Sequence, residues 1–169
     1  KVSNLKSCVE VENASKSSGA NVQQYESNGN ACQHWILEET AAAGVKLDTS
    51  QVYQFQNANS ALYLEVKDAS AEAGANVQQW GANGNDCQNW TLKEFGDGYY
   101  YILSRLGDGK TYYLDVAEGK GDDGTNIQIF TNTKTSAQLF KFIPNPDGTY
   151  YIVTRASKDK GALGIAAAS

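Results

Sequence analysis

Three acids recur in one setting. Glu10 lies in CVEV, Glu65 in LYLEV and Asp115 in YYLDV, and 13 residues after each stands a glutamine: Gln23, Gln78 or Gln128. Two residues further comes an aromatic ring, Tyr25, Trp80 or Phe130, and ten residues after the first glutamine comes a second, Gln33, Gln88 or Gln138. Carboxylates that hydrolyse a glycosidic bond work in pairs roughly 5–9.5 Å apart, but these acids occur one per repeat and should stand far from one another. Asp122, Asp123 and Asp147 read as solvated turn residues. His34 is the only histidine, lies between Gln33 and Trp35, and has no Ser or Cys partner that spacing suggests. Serine–histidine chemistry and a histidine metal site are therefore excluded. A ring at a strand end beside a polar loop such as ESNGN (26–30) or GANGN (81–85) either covers the edge of a core or offers its face to a ligand.

The elements that must position these groups repeat with them. GANVQQY (19–25), GANVQQW (74–80) and GTNIQIF (124–130) are copies of one heptad, with Gln23, Gln78 and Gln128 separated by 55 and 50 residues. Ten residues on come Gln33-His34-Trp35, Gln88-Asn89-Trp90 and Gln138-Leu139-Phe140. Three landmarks keep their order three times, the mark of a repeat architecture. Within each copy, short runs such as VYQFQ, YLEV, NVQQW and NWTLKE are rich in β-branched and aromatic residues, and turn-forming stretches such as NANS and FGDG divide them. No sustained 3.6-residue period occurs, and ETAAAG (39–44) is long enough only for a helical turn. The chain is all-β, with about four strands per copy, suited to a closed barrel on a threefold axis. Trp35, Trp90 and Phe140 are expected to fill its interior.

Composition narrows the partners. The 169 residues amount to one domain, and 14 Lys and Arg against 19 Asp and Glu leave a net charge of −5 with no basic cluster. A nucleic acid or an anionic membrane is not the expected partner, because phosphate binding needs concentrated cations. No run approaches the roughly 20 apolar residues that span a bilayer. The chain begins at Lys1 and holds no methionine, as an excised or processed piece of a longer product would. Cys8, Cys32 and Cys87 are odd in number and fit no zinc spacing, so buried thiols are expected, with Cys8–Cys32 the one conceivable pair. No cofactor motif is present, and the acidic turn EGKGDDGTN (118–126) reads as a loop in preference to a calcium site.

A thrice-repeated unit of LDV, then G-x-N-V-Q-Q-W, then Q-x-W resembles the ricin B-type lectins and carbohydrate-binding module family 13, over essentially the whole chain. The resemblance implies a β-trefoil of three pseudo-symmetric lobes, about 1–46, 47–95 and 96–146, with an extra half-repeat at 147–169. It also implies a non-catalytic, secreted module that binds plant polysaccharide or galactose- or xylose-containing glycans, of galactan, xylan or arabinan type, and is joined to an extracellular glycoside hydrolase. Sugar chemistry agrees: a pyranose offers C–H groups on one face and hydroxyls at its rim, which suits a ring beside a carboxylate and amides. Carried over residue by residue, the implied sugar contacts are Glu10, Gln23, Tyr25, Asn28 and Gln33 in the first lobe. The second has Glu65, Gln78, Trp80, Asn83 and Gln88, and the third Asp115, Gln128, Phe130 and Gln138. A glycosidase with an unrecognised carboxylate pair and a protein-interaction or inhibitor trefoil are the alternative readings.

The departures from the lectin pattern carry weight. Two lobes hold Glu for the usual Asp, and where those lectins often place Asn before the Q-x-W glutamine, this chain has Cys32, Cys87 and Ala137, none of which brings an amide. The second lobe, with its Trp80 platform, is expected to bind best. Residues 147–169 repeat the first half of a copy, while KVSNLKSC at the start is only a stub of the same first strand. YYIVTR (150–155) is therefore expected to take the first-strand place in the first lobe and to close the barrel, within one molecule or by exchange with a neighbour. ALGIAAAS (162–169) has Gly164 at the acid's position and should bind no sugar.

Overall fold

A computed structural model describes residues 8–39, 47–157 and 161–162. Thirteen strands run through them: β1 Cys8–Val11, β2 Val22–Tyr25, β3 Trp35–Glu39, β4 Val52–Asn57, β5 Tyr63–Val66, β6 Val77–Trp80, β7 Trp90–Gly96, β8 Tyr99–Ser104, β9 Tyr112–Val116, β10 Ile127–Thr131, β11 Phe140–Pro144, β12 Tyr150–Thr154 and β13 Gly161–Ala162. The only helical elements among the described residues are single 3-10 turns, and none is long and apolar enough to cross a membrane. ETAAAG falls almost wholly outside the described residues, as do the N-terminal stub at 1–7 and Gly164.

Six strands form a closed antiparallel ring. Hairpins β3–β4, β7–β8 and β11–β12 join neighbouring lobes, and short pairings that include Tyr53↔Trp90, Tyr100↔Phe140 and Tyr150↔Trp35 join β4 to β7, β8 to β11 and β12 to β3. The YYIVTR segment thus stands in the first lobe where β4 and β8 stand in the other two, within one chain. Matching contacts confirm the equivalence. Main-chain bonds Ala58 N–His34 O, Arg105 N–Asn89 O and Arg155 N–Leu139 O follow the three strands at 2.8, 3.0 and 2.9 Å. His34 clasps the C-terminal strand, as Asn89 accepts from Gln54 Nε2 at 3.0 Å in the second lobe: His34 Nε2 lies 3.2 Å from the Tyr151 hydroxyl, and its Nδ1 lies 3.7 Å from Asp147. Next to β12, β13 pairs Ala162 with Val153.

The other hairpins, β1–β2, β5–β6 and β9–β10, cap one end of the barrel. Trp35, Trp90 and Phe140 are wholly buried at the junction of barrel and cap. The indole N–H groups tie the two layers: Trp35 donates to Val9 O at 2.7 Å and Trp90 to Leu64 O at 3.2 Å. Cys8, Cys32 and Cys87 are buried free thiols, and burial pushes the first two up to about 12.

The heptads lock the caps to one another. Gly19, Gly74 and Gly124 have φ of +85°, +88° and +81°, a region that glycine enters without steric cost. In that shape each N–H reaches the next lobe: Gly19 to Gln79 O at 2.8 Å, Gly74 to Ile129 O at 2.8 Å, and Gly124 to Gln24 O at 2.9 Å. Inside this ring, Asn126 Nδ2 donates to Asn76 Oδ1 at 2.8 Å and Asn76 Nδ2 to Asn21 Oδ1 at 3.3 Å. The second heptad glutamines brace the same joints, Gln79 donating to Ser15 O and Ser17 O, and Gln24 to Asp122 O.

Because β12 is hydrogen-bonded on both sides and buries Ile152 and Thr154, deleting 147–169 leaves β3 and β11 as open edges. The truncated chain should melt far below the parent and not refold as a monomer. Thermal unfolding followed by circular dichroism checks this, and an unchanged midpoint would show that the ring closes without β12.

Candidate functional site

Each capping hairpin sets an acid across from a glutamine by strand register: Glu10↔Gln23, Glu65↔Gln78 and Asp115↔Gln128. Side chains on paired residues share one face of the sheet, so the pairing itself delivers carboxylate and amide together. The aromatic residue two positions on lies on the same face. Trp80 is 43% exposed and Tyr25 41% exposed, both high for such large rings, while Phe130 is half-buried.

The second glutamine of each repeat is a clamp. Gln33 Nε2 donates to Glu26 O (2.7 Å) while its Oε1 accepts from Asn28 N (3.0 Å). Gln88 repeats this with Gly81 O (2.8 Å) and Asn83 N (3.1 Å), and Gln138 with Thr131 O (2.9 Å) and Thr133 N (3.0 Å). All three are fully buried. The edge contact to a ligand expected of them is therefore not open to them; they hold the loop and the carboxylate, with 2.7 Å to Glu10 Oε2, 2.9 Å to Glu65 Oε2, and a bond from Gln138 to Asp115. Buried amides impose this, since each unmade hydrogen bond would cost about 1–3 kcal/mol.

The second lobe is the most fully built. Glu65 accepts from Gln78 at 3.1 Å on Oε1, and from Gln88 at 2.9 Å and Asn83 at 2.6 Å on Oε2. The amide missing before Gln88 is thus supplied from Asn83, four residues ahead of Cys87. Glu65, Gln78 and Asn83 line a cleft of about 510 Å³ with Trp80, Lys67 and Asp68. Gly19 of the first lobe also lines it, and a Cβ there would sit 3.4 Å from Trp80 Cζ3. The neighbouring lobe's backbone therefore abuts the ring's edge. Lys67, Asp68 and Gly19 were not among the residues read from sequence. The first two sit in the turn after the LEV strand, and nothing in the linear order shows that turn beside Trp80.

The other lobes keep the plan with different chemistry. In the third, Gln128 donates to Asp115 at 3.0 Å, and Asp115, Phe130, Thr133, Thr135 and Ala137 line a cleft of about 630 Å³. Burial raises the Asp115 carboxyl above its ordinary range, against hydrogen bonds from Gln128 and Gln138. In the first lobe, Gln23 Nε2 is buried without a partner. Glu10 is only 5% exposed, and burial pushes its carboxyl up to about 7. Hydrogen bonds from Gln33 and Cys32 oppose the rise, and the charge of Asp123, from the third lobe's loop, adds to it.

The acidic turn at 118–126 is drawn into other bonds: Lys120 Nζ lies 2.7 Å from Glu118, and Asp122 O accepts from Thr125 and Gln24. Among the described residues, no three His, Cys, Asp or Glu side chains converge as metal ligands would.

The chain belongs to the ricin-type β-trefoil lectin domain-like family, whose sequence model matches residues 1–51, 45–130 and 108–169. A designed threefold-symmetric protein, ThreeFoil, is 35% identical, with a TM-score of 0.71 over 80% of this chain and 89% of its own. An exo-β-1,3-galactanase from Clostridium thermocellum is 27% identical, with a TM-score of 0.66 over 83% of this chain and 30% of the enzyme. The clotting factor G alpha subunit of Tachypleus tridentatus is 36% identical over 69 residues, 40% of this chain and 10% of that subunit.

Glu10 generates a pH prediction. Its carboxyl titrates from an ordinary 4.5 to about 7 on folding, so the folded state holds a proton that the unfolded state has already released. The stability it contributes is present below about pH 4.5 and is lost as pH rises through about 7. Glu10→Gln should therefore flatten the stability profile between about pH 4.5 and 7 and leave the variant more stable than the parent at about pH 8. Urea unfolding across that window checks it, and a variant whose profile parallels the parent's would count against a proton on Glu10.

Proposed function

We propose that this chain is a non-catalytic carbohydrate-binding module that holds polysaccharide of galactan, xylan or arabinan type through up to three shallow sites, the second lobe's being the strongest. The observation that carries this reading is the Glu65 carboxylate, fixed by three amides at 2.6–3.1 Å beside a Trp80 ring that is 43% exposed on an open cleft. A carboxylate and amides at this spacing bond neighbouring hydroxyls, and the ring face takes the sugar's C–H patch. Membership of the ricin-type lectin family supports carbohydrate binding, and domains of that family are generally non-catalytic. The match to 30% of an exo-β-1,3-galactanase supports attachment to an extracellular glycoside hydrolase.

Affinity electrophoresis on soluble xylan, galactan and arabinan, with reducing-sugar assay of the same mixtures, tests the reading. Retardation without sugar release is expected. Release would make the chain an enzyme, and neither effect would leave an interaction scaffold.

Trp80→Ala should weaken binding by about 1–3 kcal/mol, more than Tyr25→Ala or Phe130→Ala, as for other stacked rings. Titration calorimetry checks this, and parent-like affinity for Trp80→Ala would move the main site elsewhere. With several sites on one rigid body, a polymer should also bind more tightly than a matched short oligosaccharide, since its second contact is intramolecular. Equal affinity per site for both would mean that a single lobe binds.

A further inference from the structure

Asn28 and Asn83 hold the same place in the first two lobes and use their backbones alike. The main-chain N–H of each bonds the buried glutamine, and the Oδ1 of each accepts the N–H two residues on, from Asn30 or Asn85 at 2.9 Å. Their amide ends differ. Asn83 Nδ2 reaches Glu65 Oε2 at 2.6 Å and packs 3.6 Å from Cys87 Sγ. Among the described residues, Asn28 makes no such bond to Glu10, and Gln23 Nε2 beside it also lacks a partner. The third lobe has Thr133 at this place and a shorter acid, Asp115.

This difference bears on the longer acid. Relative to Asp, Glu has one more rotatable bond to fix before its two oxygens can meet two hydroxyls, and fixing it in advance removes an ordering cost from binding. Glu65 is gripped from three separate segments, by Gln78 on β6, by Asn83 in the following loop and by Gln88 in the 3-10 turn. Among the described residues, Glu10 has Gln33 as its one amide donor.

We propose that Asn83 is a positioning residue for carbohydrate, acting through Glu65: it holds both carboxylate oxygens toward the Trp80 cleft and makes the second lobe, and not the first, the principal site. The proposal rests on the carbohydrate-binding reading above. Asn83 itself need not touch the sugar, because its amide is spent on Glu65.

The test uses the full chain carrying Tyr25→Ala and Phe130→Ala, so that the second site alone is read, titrated with xylotetraose, β-1,3-galactotetraose and arabinotetraose. On the tetraose that binds, Asn83→Ala should weaken affinity at least about tenfold, the usual worth of a hydrogen bond to a charged group. Asn83→Asp sets a second carboxylate against Glu65. Binding should be weak at about pH 8 and should recover toward about pH 5 as the pair takes up a shared proton that restores the bond. A residue that merely shapes the loop would not produce that recovery. In the starting background, the Asn83 side-chain amide signals in a ¹⁵N spectrum should exchange slowly, and Glu65→Ala should abolish that protection, a reading that needs no sugar. Asn83→Ala within twofold of the background's affinity, or an Asn83→Asp variant equally weak at both pH values, overturns the proposal while leaving the carbohydrate reading intact. If neither this background nor the parent binds any of the three, the carbohydrate reading falls and the proposal with it.

Discussion

A main-chain hydrogen bond made three times in a ring holds this molecule's sites in register. Gly19, Gly74 and Gly124 each pass an N–H to the neighbouring lobe, and the third returns the chain of contacts to the first. The bond needs a left-handed glycine, so the heptad must begin with one. It also needs the receiving carbonyl on a strand whose next side chain is the aromatic ring that points out beside the acid. The joint that holds the lobes together thus also seats the aromatic ring, and a neighbour's glycine ends up against the edge of Trp80.

Buried polarity explains why so many amides recur. Gln33, Gln88 and Gln138 are wholly inside the fold, where an unsatisfied amide is costly, and each finds a carbonyl seven residues upstream and an N–H five residues upstream in the same loop. Such a clamp shapes the loop whatever the site does. The proposed sugar sites are layered on top of it, and there the lobes diverge among the described residues: three amides on Glu65, one on Glu10, and a shorter acid with a half-buried phenyl ring in the third lobe. Near-symmetry of fold therefore coexists with unequal sites.

The chain's ends follow the same logic. A six-stranded ring made from lobes that each contribute two barrel strands cannot close with a stub in one place. The sixth strand comes from the C-terminal half-repeat, and the His34–Tyr151 contact stands there where Gln54 bonds Asn89 in the second lobe. Glu10 sits in this lobe, with the charge of Asp123 from the third lobe's loop acting on it, and its raised carboxyl reflects that setting.

The sequence by itself determined the strands, the threefold repeat, the buried Trp35, Trp90 and Phe140, and the grouping of acid, glutamine and ring, because all of these rest on local pattern and on spacing that repeats. It also marked 150–155 as a first strand, since Tyr151 and Ile152 copy Tyr101 and Ile102 at a fixed offset. Tertiary structure decided what depends on contacts between segments. Among the described residues, the same Asn in two loops is bonded to the acid in one and makes no such bond in the other. A glutamine expected at the ligand's edge is sealed inside, and a glycine from one lobe borders the ring of the next. Burial and the approach of Asp123 move Glu10 far from its ordinary titration. None of these can be read from residue type or spacing, since each is set by which surfaces the closed ring brings face to face.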